Sequence, residues 1–156
     1  MDATAPVCQV VRTLDVIGEK WSLLIIRDAL RGRTRFSEFR ESLGAPTDIL
    51  TSRLRSLVEA GILDRRAYRE PGDRERFAYH LTPKGDALRI VIAAMLEWSD
   101  EFDPAPQGRG SRLVAAADDA SLRLAFVTAD GTEVARDATA IAPGPAARTT
   151  WEYRTA

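Results

Sequence analysis

Four apolar segments with the spacing of α-helices fill the first 61 residues of this 156-residue chain, and each segment ends at a glycine. The four glycines are Gly18, Gly32, Gly44 and Gly61. Only the tight turn of residues 44–46 separates the third segment from the fourth. Short helices with a three-residue turn before the last one form the layout of a helix-turn-helix. The pattern therefore predicts a small helical domain whose fourth helix follows a turn.

Two strand-like segments, residues 62–68 and 77–81, follow the fourth helix. The second segment has alternating large side chains, which is typical of a β-strand. Between the two lies a charged stretch in which Pro71, Gly72 and Asp73 mark a turn. We therefore predict a charged β-hairpin, called the wing below, directly after the fourth helix.

A long apolar helix is predicted after the wing. Thr82 is suited to its N-cap position and Pro83 to its first helical position. This helix is apolar on more than one face, so it needs two packing partners. One is its own domain, and the other could be a second subunit. The residues that we assign to dimerisation, on this helix and on the first one, are Val7, Val10, Val11, Leu14, Leu88, Val91, Ile92, Met95, Trp98 and Phe102.

The last third of the chain differs in composition. Residues 104–110 contain two prolines and two glycines, and they predict a linker between a domain at 7–103 and an extension at 111–156. Alternating side chains at 122–127, followed by a turn, predict a hairpin, and 149–154 predict one more strand. The predicted fold class is α+β: a winged helix-turn-helix with a long C-terminal dimerisation helix and a small β-rich C-terminal extension.

Composition excludes several classes of protein. Hydrophobic residues make up 45% of the chain and charged residues 29%, an ordinary globular balance, and the net charge is −1. A single cysteine, Cys8, and a single histidine, His80, exclude an internal disulfide and the usual Cys/His zinc site. The sequence shows no secretory signal and no apolar run of the ~18 residues that a membrane span needs. We expect a cytoplasmic protein with no cofactor, no membrane contact and no enzyme activity.

Five groups of residues between positions 8 and 100 occur in an order that matches a known family. They are VIGEKW at 16–21 and LIIR at 24–27 after Cys8, RFSEF at 35–39, LTSRLRSL at 50–57 with GIL at 61–63, YHLTPKG at 79–85, and Trp98. Together these motifs resemble the HxlR-type winged-helix transcriptional regulators. The resemblance implies a homodimeric, cytoplasmic, bacterial DNA-binding regulator of transcription. Its implied partners are double-stranded DNA and a second copy of the chain.

The resemblance makes the fourth helix the recognition helix, so its outer face is where DNA contacts are expected. Arginine suits bidentate contacts with phosphate and guanine, and residues 20–76 include 13 basic and 9 acidic residues. The side chains that we assign to DNA binding are Thr47, Asp48, Thr51, Ser52, Arg53 and Arg55 on the fourth helix, Arg74 and Arg76 in the wing, and Arg35 and Lys20 before or at the start of helices.

Several of these residues have a second interpretation. Asp48 suits the first turn of a helix because of the helix dipole, and Thr47 and Thr51 suit capping or a solvated surface. Arg53 could bind a phosphate or pair with Glu38 of the third helix. The wing arginines could pair with acidic neighbours across the strands. Asp48 also stands where the resembled family often has a basic residue, which leaves the operator sequence open.

Cys8 is the one residue suited to redox chemistry. It stands at or just before the first helix, where a helix N-terminus favours a thiolate, and redox-sensing members of the resembled family carry a cysteine near this place. With no second cysteine, an oxidised Cys8 can join only the partner subunit or a small thiol. The alternative is a buried small hydrophobe.

Other functions remain open at this point. A winged-helix module that binds another protein and no longer binds DNA is compatible with Asp48 and with the acidic C-terminal region. A thiol enzyme would need a base near Cys8, and the only histidine is distant along the chain, so we favour it least. An unidentified small-molecule effector is also compatible, and we would expect it between the long helix, the first helix and the C-terminal residues.

Overall fold

The structure is a computed structural model that describes residues 8–69, 72 and 74–145. Its contacts divide the described residues into two units, Cys8–Ile92 and residues 93–145. The boundary between the two units falls within a helix, between Ile92 and Ala93. The linker predicted at 104–110 stays a prediction. Val7, assigned to dimerisation, and the strand predicted at 149–154 lie outside the described residues.

The first unit contains the predicted four helices and a two-stranded wing. The elements are α1 (Gln9–Ile17), α2 (Lys20–Leu30), α3 (Phe36–Leu43), α4 (Thr47–Glu59), β1 (Leu63–Tyr68) and β2 (Arg76–Leu81). In the wing, β1 and β2 run antiparallel, with Leu63 opposite Leu81 and Tyr68 opposite Arg76. The helix-turn-helix predicted from the glycine spacing is therefore confirmed, and so is the wing.

A core of aliphatic and aromatic side chains holds α2, α3 and α4 together. Its fully buried members are Ile25, Ile26, Phe39, Leu50, Leu54 and Leu57. Burying one such side chain contributes about 1.5–3 kcal/mol relative to leaving it in water. Three of the six belong to α4, so this helix keeps its inner face on the core and its opposite face outward.

The turn between α3 and α4 depends on Gly44. This residue adopts a left-handed conformation with φ of 61°, which costs a glycine almost nothing, and its N–H donates to the carbonyl of Arg40 at 3.0 Å. The next helix starts after Pro46, whose side chain makes no cap hydrogen bond. The local sequence thus sets the angle at which α4 leaves α3.

The long helix predicted from Pro83 is interrupted. α5 covers Pro83–Asp86 and α6 covers Arg89–Phe102. The predicted cap is confirmed, because the N–H of Gly85 donates to Oγ1 of Thr82 at 3.1 Å. After α5, the N–H of Leu88 donates to the carbonyl of Gly85, only three residues back, at 3.1 Å. This tighter bond, beside a glycine of low helix propensity, turns the chain at residues 87–88.

The second unit begins within α6 and has little regular structure after it. It contains β3 (Phe126–Val127), β4 (Glu133–Val134) and a short 3₁₀ helix (Arg136–Ala138). The hairpin predicted here exists, but its strands are shorter than the alternation at 122–127 suggests. The N–H of Leu122 donates to the carbonyl of Leu113, and that of Leu124 to Oε1 of Glu97. Because these donors are used elsewhere, the strand starts only at Phe126.

Charged contacts join the rest of the second unit to the part of α6 that belongs to it. Arg136 makes a paired contact with the carboxylate of Glu101, with 2.8 Å between Nη2 and Oε2, and its guanidinium lies 5.9 Å from the ring centre of Phe102. Arg109 lies 3.0 Å from Oδ2 of Asp100. Such exposed ion pairs each contribute about 0.2–1 kcal/mol, so the extension is held by many weak contacts and not by a core.

Candidate nucleic-acid interface

The outer face of α4 is exposed along its first three turns. Thr47, Asp48, Thr51 and Arg55 are exposed, while Ser52 is half-buried. The four exposed residues therefore share one solvated surface opposite the buried leucines, whereas Arg53, like Ser52, is half-buried. A helix face of this kind can enter the major groove of DNA, where base edges differ in their donors and acceptors.

Local hydrogen bonds fix the polar side chains of α4 only in part. The hydroxyl of Thr51 donates to the carbonyl of Thr47 at 2.7 Å, and its oxygen can still accept a hydrogen bond. The residue that caps the helix is Pro46, so Thr47 does not serve as the cap. Both threonines consequently present hydroxyl oxygens on the exposed face.

The two arginines of α4 occupy different environments. Arg55 is exposed and lies 3.8 Å from Oε1 of Glu59, an exposed pair that contributes little and can open. No ion pair joins Arg53 to Glu38 in the residues that the structure describes. Oε2 of Glu38 instead accepts the N–H groups of Thr34 at 2.8 Å and Arg35 at 2.9 Å, and these bonds hold the pKa of Glu38 below its usual value.

The wing presents arginines on its exposed parts. Arg74, near the turn, and Arg76, opposite Tyr68, are both exposed. The structure adds Arg65, whose guanidinium lies 4.1 Å from the ring centre of Phe77. Sequence analysis missed this residue, because the diagonal contact depends on the register that places Ala67 opposite Phe77.

Arg35 and Lys20 lie at different places in the first unit. Arg35 forms an isolated bridge with Ala78 of β2, and its guanidinium lies 5.0 Å from the ring centre of Tyr68. Arg35 therefore connects the start of α3 to the wing. Lys20 begins α2, and its ammonium lies 5.4 Å from the ring centre of Trp21. Among residues 8–69, 72 and 74–145, no contact joins Lys20 directly to the wing.

A buried acid with three arginines around it lies at the end of α2. Asp28 is fully buried, and its Oδ1 accepts hydrogen bonds from Arg27 Nε at 2.9 Å and Nη2 at 2.8 Å. Arg31 Nη1 lies 3.6 Å and Arg33 Nη1 lies 3.8 Å from the same oxygen. Sequence analysis did not predict that these four side chains form one cluster. The available signal was an acid within an otherwise apolar helix, followed by closely spaced arginines.

The two units carry opposite net charges. Residues 8–92 contain 16 basic and 12 acidic residues, and residues 93–156 contain 6 basic and 10 acidic residues. The positive excess therefore lies in the unit that holds α4 and the wing. A local positive excess favours an approach to phosphate, which a net charge of −1 for the whole chain would not suggest.

The residues assigned to dimerisation fall into two groups. Those that are exposed in the single chain are Val10, Val11, Leu14, Met95, Trp98 and Phe102. Trp98 is 61% exposed, and its ring centre lies 5.8 Å from that of Phe102, so it lies outside the core of the single chain. Leu88 and Val91 are half-buried, and Ile92 is only 9% exposed. The single chain already buries Ile92, so this side chain has little surface left for a partner.

Cys8 is exposed and occupies the N-cap position of α1, where its side chain makes no cap hydrogen bond. The interpretation of Cys8 as a buried hydrophobe does not fit the single chain. No three His, Cys, Asp or Glu side chains form a metal-binding group within residues 8–69, 72 and 74–145. In the same residues no helix is long and apolar enough to cross a membrane.

Comparison with known proteins gives a consistent result. The model of the HxlR-like helix-turn-helix family matches residues 16–106. Among curated proteins, the chain is 44% identical over 97 residues to the "Uncharacterized HTH-type transcriptional regulator Rv3095" of Mycobacterium tuberculosis. This match covers 62% of the chain and 60% of the relative. The chain thus spans less than two thirds of the length of that relative.

Solved structures extend the similarity beyond the first unit. The crystal structure of PA1607, named as a candidate transcription factor, has a TM-score of 0.76 and 38% identity, and the match covers 88% of this chain and 96% of that one. The redox regulator HypR in its reduced form has a TM-score of 0.55 and 34% identity, covering 60% of this chain and 92% of that one. These structures support the winged-helix architecture.

Proposed function

The chain belongs to the HxlR-like helix-turn-helix family, and from this premise we propose that it is a homodimeric regulator of transcription that binds specific DNA sequences through α4. The observation that supports this most is the exposed outer face of α4, which three buried leucines hold in a fixed direction next to an arginine-bearing wing. A rigid helix with short polar side chains and an exposed arginine suits the major groove.

Base recognition falls to the exposed side chains of α4. Arg55 can donate two hydrogen bonds to O6 and N7 of a guanine, a contact that discriminates against other bases by about 1–3 kcal/mol. Thr47 and Thr51 can contact base edges through their hydroxyl oxygens. Asp48 can accept a hydrogen bond from N4 of cytosine, and it repels phosphate, so it favours sequence discrimination over general affinity.

Backbone contacts fall to the arginines of the wing. Arg74 and Arg76 can lie along phosphates or enter the minor groove, while Arg35, Arg53 and Lys20 can position the backbone. Contacts of this kind set the affinity and its dependence on salt, and they carry no sequence information.

Homodimerisation would pair the two recognition helices. The apolar side chains of α1 and of α6 that remain exposed in one chain, such as Leu14 and Trp98, are the surfaces for a second copy. In a dimer, the two α4 helices bind half-sites about one DNA turn apart. The protein then acts in the cytoplasm of a bacterium, where its DNA is, without a cofactor and without catalysis.

The experiment is a selection of DNA duplexes from a random pool with the purified full chain, followed by footprinting of the selected duplex. We expect two protected half-sites about 10 base pairs apart. Arg55→Ala should lower the preference for the selected duplex over a shuffled one by about 30-fold or more, because a dimer loses two contacts of ~1–3 kcal/mol each. Arg89→Ala on α6 removes the same charge and should leave the preference unchanged.

Three results would contradict the proposal. The pool could yield no enriched sequence, the footprint could show a single half-site, or Arg55→Ala could retain the full preference. The first result would favour the other candidate of the same fold, a module that binds a protein and no DNA. In that case the binding partner of the chain would be a protein and not a DNA duplex.

A second candidate function, oxidant sensing, has its own observation. Cys8 is exposed at the start of α1, and the chain resembles HypR, which is named as a redox regulator. Two Cys8 thiols, one from each subunit, can lose two protons and two electrons to an oxidant such as diamide, which is reduced to its hydrazine as the S–S bond forms. Diamide should change the affinity for the selected duplex, and Cys8→Ser should abolish that change. An equal response in both proteins would exclude Cys8 as the sensor.

A further inference from the structure

Asp28 lies in an unusual position for an acidic side chain, because it is completely buried within the first unit. Burying a carboxylate is costly unless it is paired and hydrogen-bonded. Arg27 supplies two hydrogen bonds, both to Oδ1, while Oδ2 has no hydrogen-bond donor among the described residues. Packing alone does not account for a buried carboxylate with one unsatisfied oxygen, and the arrangement of the neighbouring arginines points to a role for it.

The main chain of Asp28 also holds the arginines that follow it. Its carbonyl oxygen accepts the N–H of Arg31 and the N–H of Arg33, both at 3.1 Å. Between these two residues Gly32 has a φ of 91°, which turns the chain back at the end of α2. Arg33 is therefore placed by Asp28 twice, once through the backbone and once through the charge of the carboxylate 3.8 Å away.

Arg33 is the most exposed arginine of this group. Its side chain is 37% exposed, and the distance of 3.8 Å to Asp28 is too long for a hydrogen bond. Within the part of the chain that the structure describes, the guanidinium of Arg33 makes no hydrogen bond. Its five N–H groups can therefore bind an anion from solution, and the planar fork matches the oxygens of a phosphate.

The cluster lies where the helix-turn-helix meets the wing. The carbonyl of Thr34, the residue after Arg33, accepts the N–H of Tyr79 on β2 at 2.7 Å. The N–H of Thr34 donates to the carboxylate of Glu38 in the first turn of α3. In a helix-turn-helix the helix before the recognition helix crosses the DNA backbone. Arg33 thus stands beside the two elements that we expect to contact phosphates.

The charges of the cluster favour an additional anion. Three guanidinium groups approach one carboxylate oxygen, so the cations also repel each other. Burial, together with the nearby charges of Arg27 and Arg33, lowers the pKa of Arg31 despite the opposing effect of Asp28. A phosphate next to Arg33 would relieve part of this repulsion.

We propose that Asp28 is a positioning residue for a phosphate contact, in which its buried carboxylate gathers the arginines at the end of α2 and presents Arg33 to the backbone of bound DNA. The inference rests on the proposed function, because it assigns a further contact to the same interface. It concerns affinity and salt dependence and not the choice of sequence.

The experiment measures the Kd of the full chain for the selected duplex between 50 and 200 mM salt, for the wild type and five variants. Each lost phosphate contact lowers the slope of log affinity against log salt by about 0.9, so a dimer that loses two contacts loses about 1.8. For Arg33→Gln the rise in Kd across this range should be about 12-fold smaller than for the wild type. Arg33→Lys keeps the charge and should keep most of the slope, and Arg89→Gln, with the same loss of charge on α6, should keep all of it.

Asp28→Asn tests the positioning. It should reduce the slope as Arg33→Gln does and leave the preference for the selected over the shuffled duplex unchanged. The double variant with Arg33→Gln should show no further reduction, because both changes act on one contact. A purely structural role for Asp28 would lower the melting temperature and leave the slope of the folded protein unaltered.

The outcomes separate this inference from the proposed function. If the wild type binds no duplex, the proposed function fails and takes this inference with it. If the wild type binds and Arg33→Gln has the wild-type slope, only the phosphate contact is refuted. Suppose that Arg33→Gln has a smaller slope, while Asp28→Asn is folded according to circular dichroism and keeps the wild-type slope. The positioning role of Asp28 is then refuted. Should Asp28→Asn fail to fold, the Arg33 variants still decide the contact.

Discussion

Gly85 allows α5 to pass directly over the chain that leaves α4. A Cβ added to Gly85 would lie 2.2 Å from the carbonyl oxygen of Ile62 and 2.9 Å from Cδ2 of Leu81. Two more contacts hold the same junction: the hydroxyl of Thr82 donates to the carbonyl of Gly61 at 2.7 Å, and Nζ of Lys84 donates to that of Ala60, also at 2.7 Å. We predict that Gly85→Ala destabilises the first unit.

The magnitude follows from two opposing effects. Within a helix, replacing glycine by alanine normally stabilises a protein by up to about 1 kcal/mol. At Gly85, however, the contact of 2.2 Å is with backbone, so roughly 1 Å of main-chain displacement is needed before the methyl group fits. Overpacking of this kind costs about 1–3 kcal/mol. For a domain of this size each kcal/mol shifts the melting temperature by about 4–8 °C.

Thermal unfolding followed by circular dichroism measures this effect. Gly110→Ala is the matched control, since a Cβ at Gly110 meets nothing within 4 Å and the backbone there is not left-handed. We expect Gly110→Ala to stay within about 0.5 kcal/mol of the wild type. A melting temperature of Gly85→Ala at or above that of the wild type would refute the reasoning, because the usual helix propensity would then have outweighed the close approach.

Three further predictions test the core, the start of α3 and the dimer surface. Leu54→Ala should lower the free energy of unfolding by about 2–5 kcal/mol in chemical denaturation, because Leu54 is fully buried; a loss below 1 kcal/mol would contradict this. Hydrogen bonds to the carboxylate of Glu38 lower its pKa in the folded protein, so its stabilisation is complete above the unfolded pKa and disappears as the pH falls through the folded one. Glu38→Gln should therefore show a weaker loss of melting temperature between pH 6 and pH 3 than the wild type, and parallel curves would refute this. Trp98→Ala should raise the dimer dissociation constant in sedimentation equilibrium, with Ile141→Ala, an exposed apolar change outside the helix, as the control; equal constants for both variants would remove Trp98 from the interface.

Local signals were enough to predict the helix-turn-helix and the wing. Gly44 and Gly61 take left-handed conformations at the ends of α3 and α4, and this requirement is visible in the sequence as glycine after an apolar run. The leucines of α4 repeat with helical spacing, so its inner and outer faces could be predicted before any coordinates. Thr82 and Pro83 likewise predicted where the next helix begins.

Features that depend on contacts between distant residues were not predictable in this way. The helix is interrupted after α5 because the N–H of Leu88 donates to the carbonyl of Gly85, only three residues back. The apolar spacing of the sequence continues across this interruption. In the second unit, Leu124 alternates like a strand residue, yet its N–H is used by Glu97, 27 residues earlier. The cluster around Asp28 needs both the left-handed turn at Gly32 and the burial of α2, neither of which a pattern of charges specifies.

The distribution of charge has a consequence for how such a protein would find DNA. Beyond a Debye length, about 8 Å at physiological salt, the field of the chain is largely screened, and the net charge is only −1, so long-range steering is weak. Affinity must then come from contacts made within a few ångströms, such as those proposed for Arg55 and Arg33. Non-specific binding depends on total positive charge more than specific binding does. The acidic balance of residues 93–156 therefore lowers adhesion to random DNA more than it lowers recognition of the selected sequence, and we expect this chain to be a selective binder of modest overall affinity.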